Sequence, residues 1–252
     1  MKQYFYKTAV CAALGLAVSC AALADPGSET RPIDAKVMKV NLEGTASLQL
    51  HQGATPSLVV YGDKDELKTI TTGQSGDTLR IDNESGVRMH MPRVRIELTL
   101  PNLNQFTSSG VGTAEVSGFT GDNLQLNVTG TGSVSVNSHY KQVMIRATGI
   151  GSTSVDAGDS DKIEVHSPGA GHVILTGQTK ELISKLDGVG GLDAKDLKAD
   201  SVTTYLNGVG NVKVYARKSA NMYLHGVGSV TVYGNPATRN SEVSGFGKIN
   251  WE

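Results

Sequence analysis

The chain has 252 residues, of which 30 are glycine, 19% are charged and 5% are aromatic, and its formal net charge is −1. A near-neutral chain offers no electrostatic attraction to nucleic acid or to an anionic membrane, so we expect no nucleic-acid partner. The glycines do not recur at every third residue, which excludes collagen, and the recurrence of valine and leucine argues against a disordered linker.

Residues 1–24 have the composition of a secretory signal peptide. Lys2 and Lys7 give a positive start, a nearly uncharged run follows over 8–24, and that run ends in Ala-Leu-Ala. This order of features predicts export to the periplasm or the cell surface, with cleavage after Ala24. An alternative uses Ala-Val-Ser-Cys at 17–20 as a lipoprotein signal, which would leave the protein anchored at a lipidated Cys20.

Both cysteines, Cys11 and Cys20, lie inside this segment, so a chain cut after Ala24 contains none. Stability must then come from burial and hydrogen bonding, not from disulfides. We predict that residues 25–35 are a polar leader and that 36–252 form one domain. Within 36–100, short apolar alternations such as 94–100 predict β-strands that begin or cap that domain.

A Gly-x-Gly triplet recurs eight times after residue 100, at intervals of 18 to 20 residues. A constant period near 19 residues predicts a solenoid, and glycine at a stacked corner permits both a positive φ and a close backbone approach. The predicted structural glycines are Gly110 and Gly112, Gly130 and Gly132, Gly149 and Gly151, Gly169 and Gly171, Gly188 and Gly190, Gly208 and Gly210, Gly226 and Gly228, and Gly245 and Gly247.

Apolar residues alternate with polar residues on both sides of each triplet. Val134 and Val136 follow one triplet at this spacing, and Leu124 and Leu126 precede it. Period-two alternation predicts strands with one buried face. About 19 residues make one turn of a parallel β-solenoid, so we predict an all-β, single-domain parallel β-helix capped by N-terminal strands. We expect polar loops between the strands at 137–141, 156–161, 176–181, 195–201, 216–219 and 234–240.

The chain resembles the GIN-domain family over roughly residues 36–252. The signal peptide, the opening strands, Leu-Pro-Asn-Leu at 100–103 and the triplets carry the resemblance, most clearly Ser-Gly-Val-Gly at 109–112 and Ser-Gly-Phe-Gly at 244–247. That family is described as the head domain of auto-transporter adhesins. The resemblance implies a β-helical fold and an adhesion role, and it brings no catalytic residues.

The triplets do not have the context of a dinucleotide-binding loop, which needs a third glycine and a following helix. The sequence also lacks Gly-x-Ser-x-Gly and His-Glu-x-x-His, so we expect no catalytic residues, no cofactor and no metal. Two alternatives stay open. Asp156, Asp159 and Asp161 form an acidic loop that could hold calcium, and Asp187 and Asp193 could form the carboxylate pair of a polysaccharide-acting hydrolase or lyase.

Four of the eight tyrosines fall in register. Tyr205 and Tyr223 lie three residues before their triplets, and Tyr215 and Tyr233 lie seven residues after theirs. At outward parity they would form two stacks that either contact a glycan or a surface protein, or only stabilise the sheet.

The residues between the paired glycines are apolar in seven of eight repeats. We expect the triplet to be a corner at which glycine breaks the parity and turns this row inward. In the alternative, the strand runs straight through and the row becomes an exposed ridge of about 34 Å. The row comprises Val111, Thr131, Ile150, Ala170, Val189, Val209, Val227 and Phe246.

Trp251, the only tryptophan, falls in an inward position of the last coil, where we expect it to plug the end of the core. The function predicted from the sequence is an exported, non-catalytic binding or adhesion module of the bacterial cell envelope. The alternatives are a self-assembling envelope protein and, third, a polysaccharide-acting enzyme. The partners expected are a glycan or an envelope protein, with self-association as a further possibility.

Overall fold

The computed structural model describes residues 27–83 and 94–252, so the predicted signal peptide and Cys20 lie outside the described residues. The chain forms the β-solenoid that the repeats predict. The N-terminal elements are β1 (Ser28–Arg31), β2 (Lys39–Leu42), β3 (Thr45–Gln52), β4 (Ser57–Tyr61), α1 (Lys64–Leu67), β5 (Ile70–Ser75), β6 (Thr78–Asn83), β7 (Arg95–Leu100) and β8 (Gln105–Ser108). The remaining strands are β9 (Val111–Val128), β10 (Thr131–Ala147), β11 (Ile150–Ser167), β12 (Ala170–Leu186), β13 (Val189–Leu206), β14 (Val209–Leu224), β15 (Val227–Tyr233), β16 (Thr238–Val243) and β17 (Phe246–Trp251).

Each coil from β9 to β14 is one long strand that begins inside a triplet and ends just before the next one. Successive coils pair in parallel and in register, so that Gly132 lies between Gly112 and Gly151. The halves that follow the triplets form what we call the first sheet, and the halves that precede the next triplets form the second sheet. β15 and β17 continue the first sheet, and β16 continues the second.

The loops predicted between the two halves of each coil are mostly β-bulges. Strands continue through 137–141, 156–161, 176–181, 195–201 and 216–219, with local register shifts such as the one between Asn137 and Gln142. A bulge lets a strand bend sharply while most of its backbone remains hydrogen-bonded. Among the coils from β9 to β16, only the one made by β15 and β16 leaves the sheet at this point, between Tyr233 and Thr238.

The N-terminal strands cap the solenoid in an order that differs from their order in the sequence. β2 pairs in parallel with both β6 and β8, and β3 pairs in parallel with both β7 and β9. The coil made by β6 and β7 therefore lies outside the coil made by β2 and β3. Antiparallel strands cover this end, because β4 pairs with β7, β1 with β4, and β5 with β6.

The inward side chains of both sheets form one continuous hydrophobic core from Val37 to Val232. Ile249 and Trp251 of the last coil are partly buried and pack against that core. Their partners across the sheet are Val230 and Val232. The guanidinium of Arg239 lies 5.3 Å from the Trp251 ring centroid.

One tyrosine lies inside the core. Tyr140 is buried at the bulge of β10, and its hydroxyl donates a hydrogen bond of 2.5 Å to the backbone oxygen of Leu103. Burial raises the pKa of Tyr140 well above its ordinary value, because the charged phenolate would lose its hydration. This hydrogen bond joins β10, the second long coil, to the segment that leads into β8.

Candidate functional site

The triplet glycines lie at a corner too tight for a side chain that points inward. A Cβ added at any of the sixteen would approach a backbone atom of the neighbouring coil to less than 3.0 Å. At Gly190 the backbone also has a φ of +145°, a conformation that L side chains rarely adopt. The corner backbones therefore stack at a distance that leaves no space between them for inward side chains.

The residue between the two glycines faces solvent, and the expectation that this row turns inward is wrong. Its large apolar members, from Val111 to Phe246, are 43 to 82% exposed. The reason is that inward and outward residues continue to alternate through the corner. Buried Val128 and buried Val134 stand at even spacing on either side of Gly130 and Gly132, which leaves Thr131 outward. We call the eight-residue row from Val111 to Phe246 the apolar ridge.

A further coil carries the same corner without the second glycine. Gly44, with a φ of +75°, accepts a hydrogen bond from the Val111 amide, and Ala46 pairs with Gly112. The sequence does contain a signal for this coil. Val40 and Leu42 precede Gly44, and Leu48 and Leu50 follow it, all at the spacing of the repeat. This corner has no Gly-x-Gly triplet, because Ala46 stands in the place of the second glycine.

Tyr205 and Tyr223 lie outward on the second sheet as neighbours in adjacent coils. Their ring centroids are 4.8 Å apart and their planes differ by 7°. Two parallel rings at this separation must overlap face to face with an offset, because rings lying side by side in one plane would collide. One face of each ring is therefore covered by the other tyrosine. Both tyrosines take the outward register, both are half-buried, and the Tyr223 ring also lies 6.4 Å from the His225 ring.

Tyr215 and Tyr233 pair across β14 and β15 on the first sheet. The ammonium of Lys198 lies 3.8 Å from the centroid of the Tyr215 ring, a cation–π contact that covers one of its faces. Both tyrosines are half-buried. The two predicted stacks thus lie on different sheets and do not form one platform.

A chain of polar contacts crosses several coils beside the ridge. Asp187 accepts hydrogen bonds from Asn207 (2.7 Å) and His166 (3.0 Å), and the Lys185 ammonium lies 3.5 Å away. Partial burial acts to raise the pKa of Asp187, but the hydrogen bonds from Asn207 and His166 and the charge of Lys185 outweigh it, so the pKa lies below its ordinary value. His225 continues the contacts by approaching Asn207 to 3.2 Å.

The acidic residues predicted as alternatives for calcium binding or catalysis do not form one cluster. Among residues 27–83 and 94–252, no three His, Cys, Asp or Glu side chains come together as a metal site. In the acidic loop, Asp156 accepts a hydrogen bond from the Gly158 amide, and Asp161 pairs with Lys180 at 2.6 Å. Asp187 lies at the corner between β12 and β13, whereas Asp193 lies on the first sheet and accepts a hydrogen bond from the Lys195 amide.

Comparison with known proteins identifies the family. Residues 38–236 match the family described as "Putative auto-transporter adhesin, head GIN domain". The chain belongs to the GIN-domain family. None of the curated proteins compared matches the chain significantly.

Solved structures share the GIN fold over nearly their full length. An adhesin-like protein from Bacteroides fragilis NCTC 9343 is 23% identical, with 90% of this chain and 98% of that one covered and a TM-score of 0.70. A second, from Parabacteroides merdae ATCC 43184, is 16% identical, with 90% and 95% covered and a TM-score of 0.81. Both are described as putative adhesins.

A third structure, from Parabacteroides distasonis ATCC 8503, is described as a putative lipid binding protein. It is 20% identical, covers 90% of this chain and 97% of its own, and has a TM-score of 0.75. Identities this low establish the common GIN fold only. Within the part of this GIN chain that the structure describes, no helix has the length and hydropathy needed to span a membrane.

Proposed function

We propose that this GIN protein is an exported, non-catalytic binding or adhesion module of the bacterial cell envelope. The observation that supports this most is the apolar ridge, because its large side chains are 43 to 82% exposed along one corner of the solenoid. A contiguous row of apolar side chains in water is typical of a contact surface. The family description as an adhesin head points the same way.

The binding surface proposed here combines the ridge with the tyrosines. Tyr205 and Tyr223 lie on the second sheet, four residues before the ridge residues Val209 and Val227, and Tyr215 and Tyr233 lie on the first sheet. Their ring edges and hydroxyls supply polar and apolar contact to a glycan or to an envelope protein. Residues 1–24 would direct export, and the mass of the mature protein distinguishes cleavage after Ala24 from lipidation at Cys20.

Retention on native surfaces tests this proposal. Beads coated with the mature chain are passed over immobilised envelope fractions, and the fraction of beads retained is measured. The ridge variant, which carries both Ile150→Ser and Val189→Ser, is compared with the wild type. We expect the ridge variant to lose about tenfold in retention, because apolar contacts at the centre of an interface carry most of its affinity. The matched control is Ser135→Ala, an exposed change on the first sheet. Equal retention of wild type and ridge variant would contradict the proposal.

The tyrosines are tested separately. If glycans bind beside the ridge, a glycan array probed with the wild type should give signals that Tyr205→Ala or Tyr223→Ala reduces. A wild type with no array signal, or signals equal in both variants, would remove the tyrosines from the binding surface.

Self-assembly is the second candidate, favoured by the open end of the solenoid. In the described part of the chain, β16 pairs only with β14 and β17 only with β15, so one edge of each is unpaired. Phe246 stands on this edge and is 82% exposed. Sedimentation velocity over a range of concentrations tests it: oligomers that Phe246→Ser removes would support assembly, and a monomer throughout would exclude it. Deletion of residues 249–252 is expected to promote association, since it removes the Trp251 plug.

A further inference from the structure

A concave site of about 440 Å³ lies on the second sheet, far along the solenoid from the tyrosine stack. Its outward lining comes from three consecutive coils and from the chain entering β8. A volume in this range is typical of small-molecule sites. We define the amide groove by Asn104, Asn123, Gln125, Gln142 and Met144.

We propose that the amide groove binds an uncharged oligosaccharide. Four carboxamides line it, and a carboxamide has one acceptor oxygen and two N–H donors. Gln125 donates one N–H to Asn127 at 3.3 Å, and the Asn104 amide nitrogen lies 3.7 Å from the Met38 sulfur. Within the described residues, the side chains of Asn123 and Gln142 have no hydrogen-bond partner, although register places them side by side in adjacent coils. Neighbouring hydroxyls of a sugar ring need this combination of adjacent donors and acceptors.

The charged side chains around the groove are paired with one another. Asp122 pairs with Lys141 at 2.7 Å across one edge of the groove. Lys162 pairs with Glu164 at 2.5 Å and lies 3.7 Å from Glu181 at the far side. Two ammonium groups therefore face three carboxylates, so each charge has a partner and the small excess is negative, which disfavours an anionic ligand. An uncharged ligand brings no charge that this lining would leave unpaired.

An apolar contact lies between the amides. Met144 is 51% exposed, and it pairs directly with Gln125 on the neighbouring strand. A thioether side chain is flexible and polarisable, so it adapts to an irregular apolar surface such as the C–H face of a sugar ring. Amides on either side of an exposed methionine therefore match a ligand that alternates hydroxyl groups with C–H faces. This site is separate from the apolar ridge.

Methyl NMR tests the proposal on the full mature chain. The protein is labelled at methionine methyl groups and titrated with neutral hexasaccharides of glucose, mannose, galactose and N-acetylglucosamine. We expect at least one of them to shift the Met144 resonance saturably while the buried Met222 stays fixed. Gln142→Ala with Asn123→Ala should weaken binding by about tenfold or more, because two pairs of ligand hydrogen bonds are lost. The control is Asn137→Ala, an exposed amide of the same coil outside the groove.

Three results would contradict the oligosaccharide proposal. If no neutral hexasaccharide shifts Met144, the proposal fails. It also fails if the shifts persist in the Gln142→Ala, Asn123→Ala double variant, or if only hexagalacturonate or an extended polar peptide produces them. The retention of ridge variants on envelope fractions is measured independently, so failure at the groove leaves the ridge proposal standing, and the reverse holds as well.

Discussion

The rings of Tyr205 and Tyr223 overlap face to face, with centroids 4.8 Å apart and planes 7° from parallel. This separation equals the usual distance between neighbouring β-strands. The coil spacing of the solenoid therefore brings the two rings into contact without any bend in the backbone. The stack lies at the junction of β13 and β14 and covers one face of each ring.

The energy of this stack can be measured by a double-mutant cycle. Tyr205→Leu, Tyr223→Leu and the double variant should give a coupling energy of about 0.5–1.5 kcal/mol in urea denaturation. The control cycle pairs Tyr205→Leu with Thr231→Ala on the first sheet, where we expect additivity. A coupling indistinguishable from that control would show that the stacked geometry contributes nothing to stability.

The corner glycines should tolerate no side chain. Gly190→Ala places a Cβ against the backbone of Gly171 at a φ of +145°, so we expect a loss of at least about 2 kcal/mol in the free energy of unfolding. Gly73→Ala is the matched control, because a Cβ at Gly73 meets nothing within 4 Å. Chemical denaturation compares the two. Similar midpoints would mean that the corner relaxes to accept the methyl group.

Removal of the Tyr140 hydroxyl should be costly despite the small change in size. Tyr140→Phe leaves the buried oxygen of Leu103 without its donor, for which we expect a loss of about 1–3 kcal/mol. Tyr233→Phe serves as the control, since its half-buried hydroxyl has no hydrogen-bond partner among the described residues. Thermal and urea denaturation at neutral pH measure both.

The same residue predicts an alkaline effect. Burial raises the pKa of Tyr140 above the value of 10.0 expected in the unfolded chain. A folded pKa above the unfolded one gives stability that is fully present below pH 10.0 and is lost as the pH rises further. Wild type and Tyr140→Phe should therefore converge in stability above that pH. A constant difference between them at every pH would contradict this.

Asp187 predicts the opposite dependence in acid. Its folded pKa lies below the ordinary 3.8, because the hydrogen bonds from Asn207 and His166 and the charge of Lys185 outweigh partial burial. Its contribution is present above pH 3.8 and is lost as the pH falls through the folded pKa. Asp187→Asn should therefore be less stable than wild type at neutral pH, and the difference should shrink in acid. Asp193→Asn, on the first sheet, controls for removal of one carboxylate. Equal dependence of stability on pH in the two variants would contradict a specific contribution from Asp187.

Much of the fold followed from spacing, whereas the direction of the ridge did not. Periodic glycines and alternating apolar residues determine a parallel solenoid and its register, because both depend on local geometry. Thr131 shows why the direction of the ridge was mispredicted. The sequence does not say whether a corner keeps or breaks the alternation of inward and outward residues, and in the structure the alternation continues through the two glycines. The amide groove gave no signal in the sequence. Asn123 and Gln142 are ordinary surface residues until coil stacking places them side by side.

The order of the N-terminal coils has a consequence for synthesis. Leu48 pairs with Ile96 on one side and with Ala114 on the other, so β3 has no strand neighbour until residues 95–100 have been made. A chain that emerges from the ribosome N-terminus first therefore carries an unpaired β3 strand, with its apolar Leu48 and Leu50, until that partner is made. Later coils each add to a completed edge. The stage most exposed to misfolding is the beginning of synthesis, and a partner that holds the newly made chain would act there.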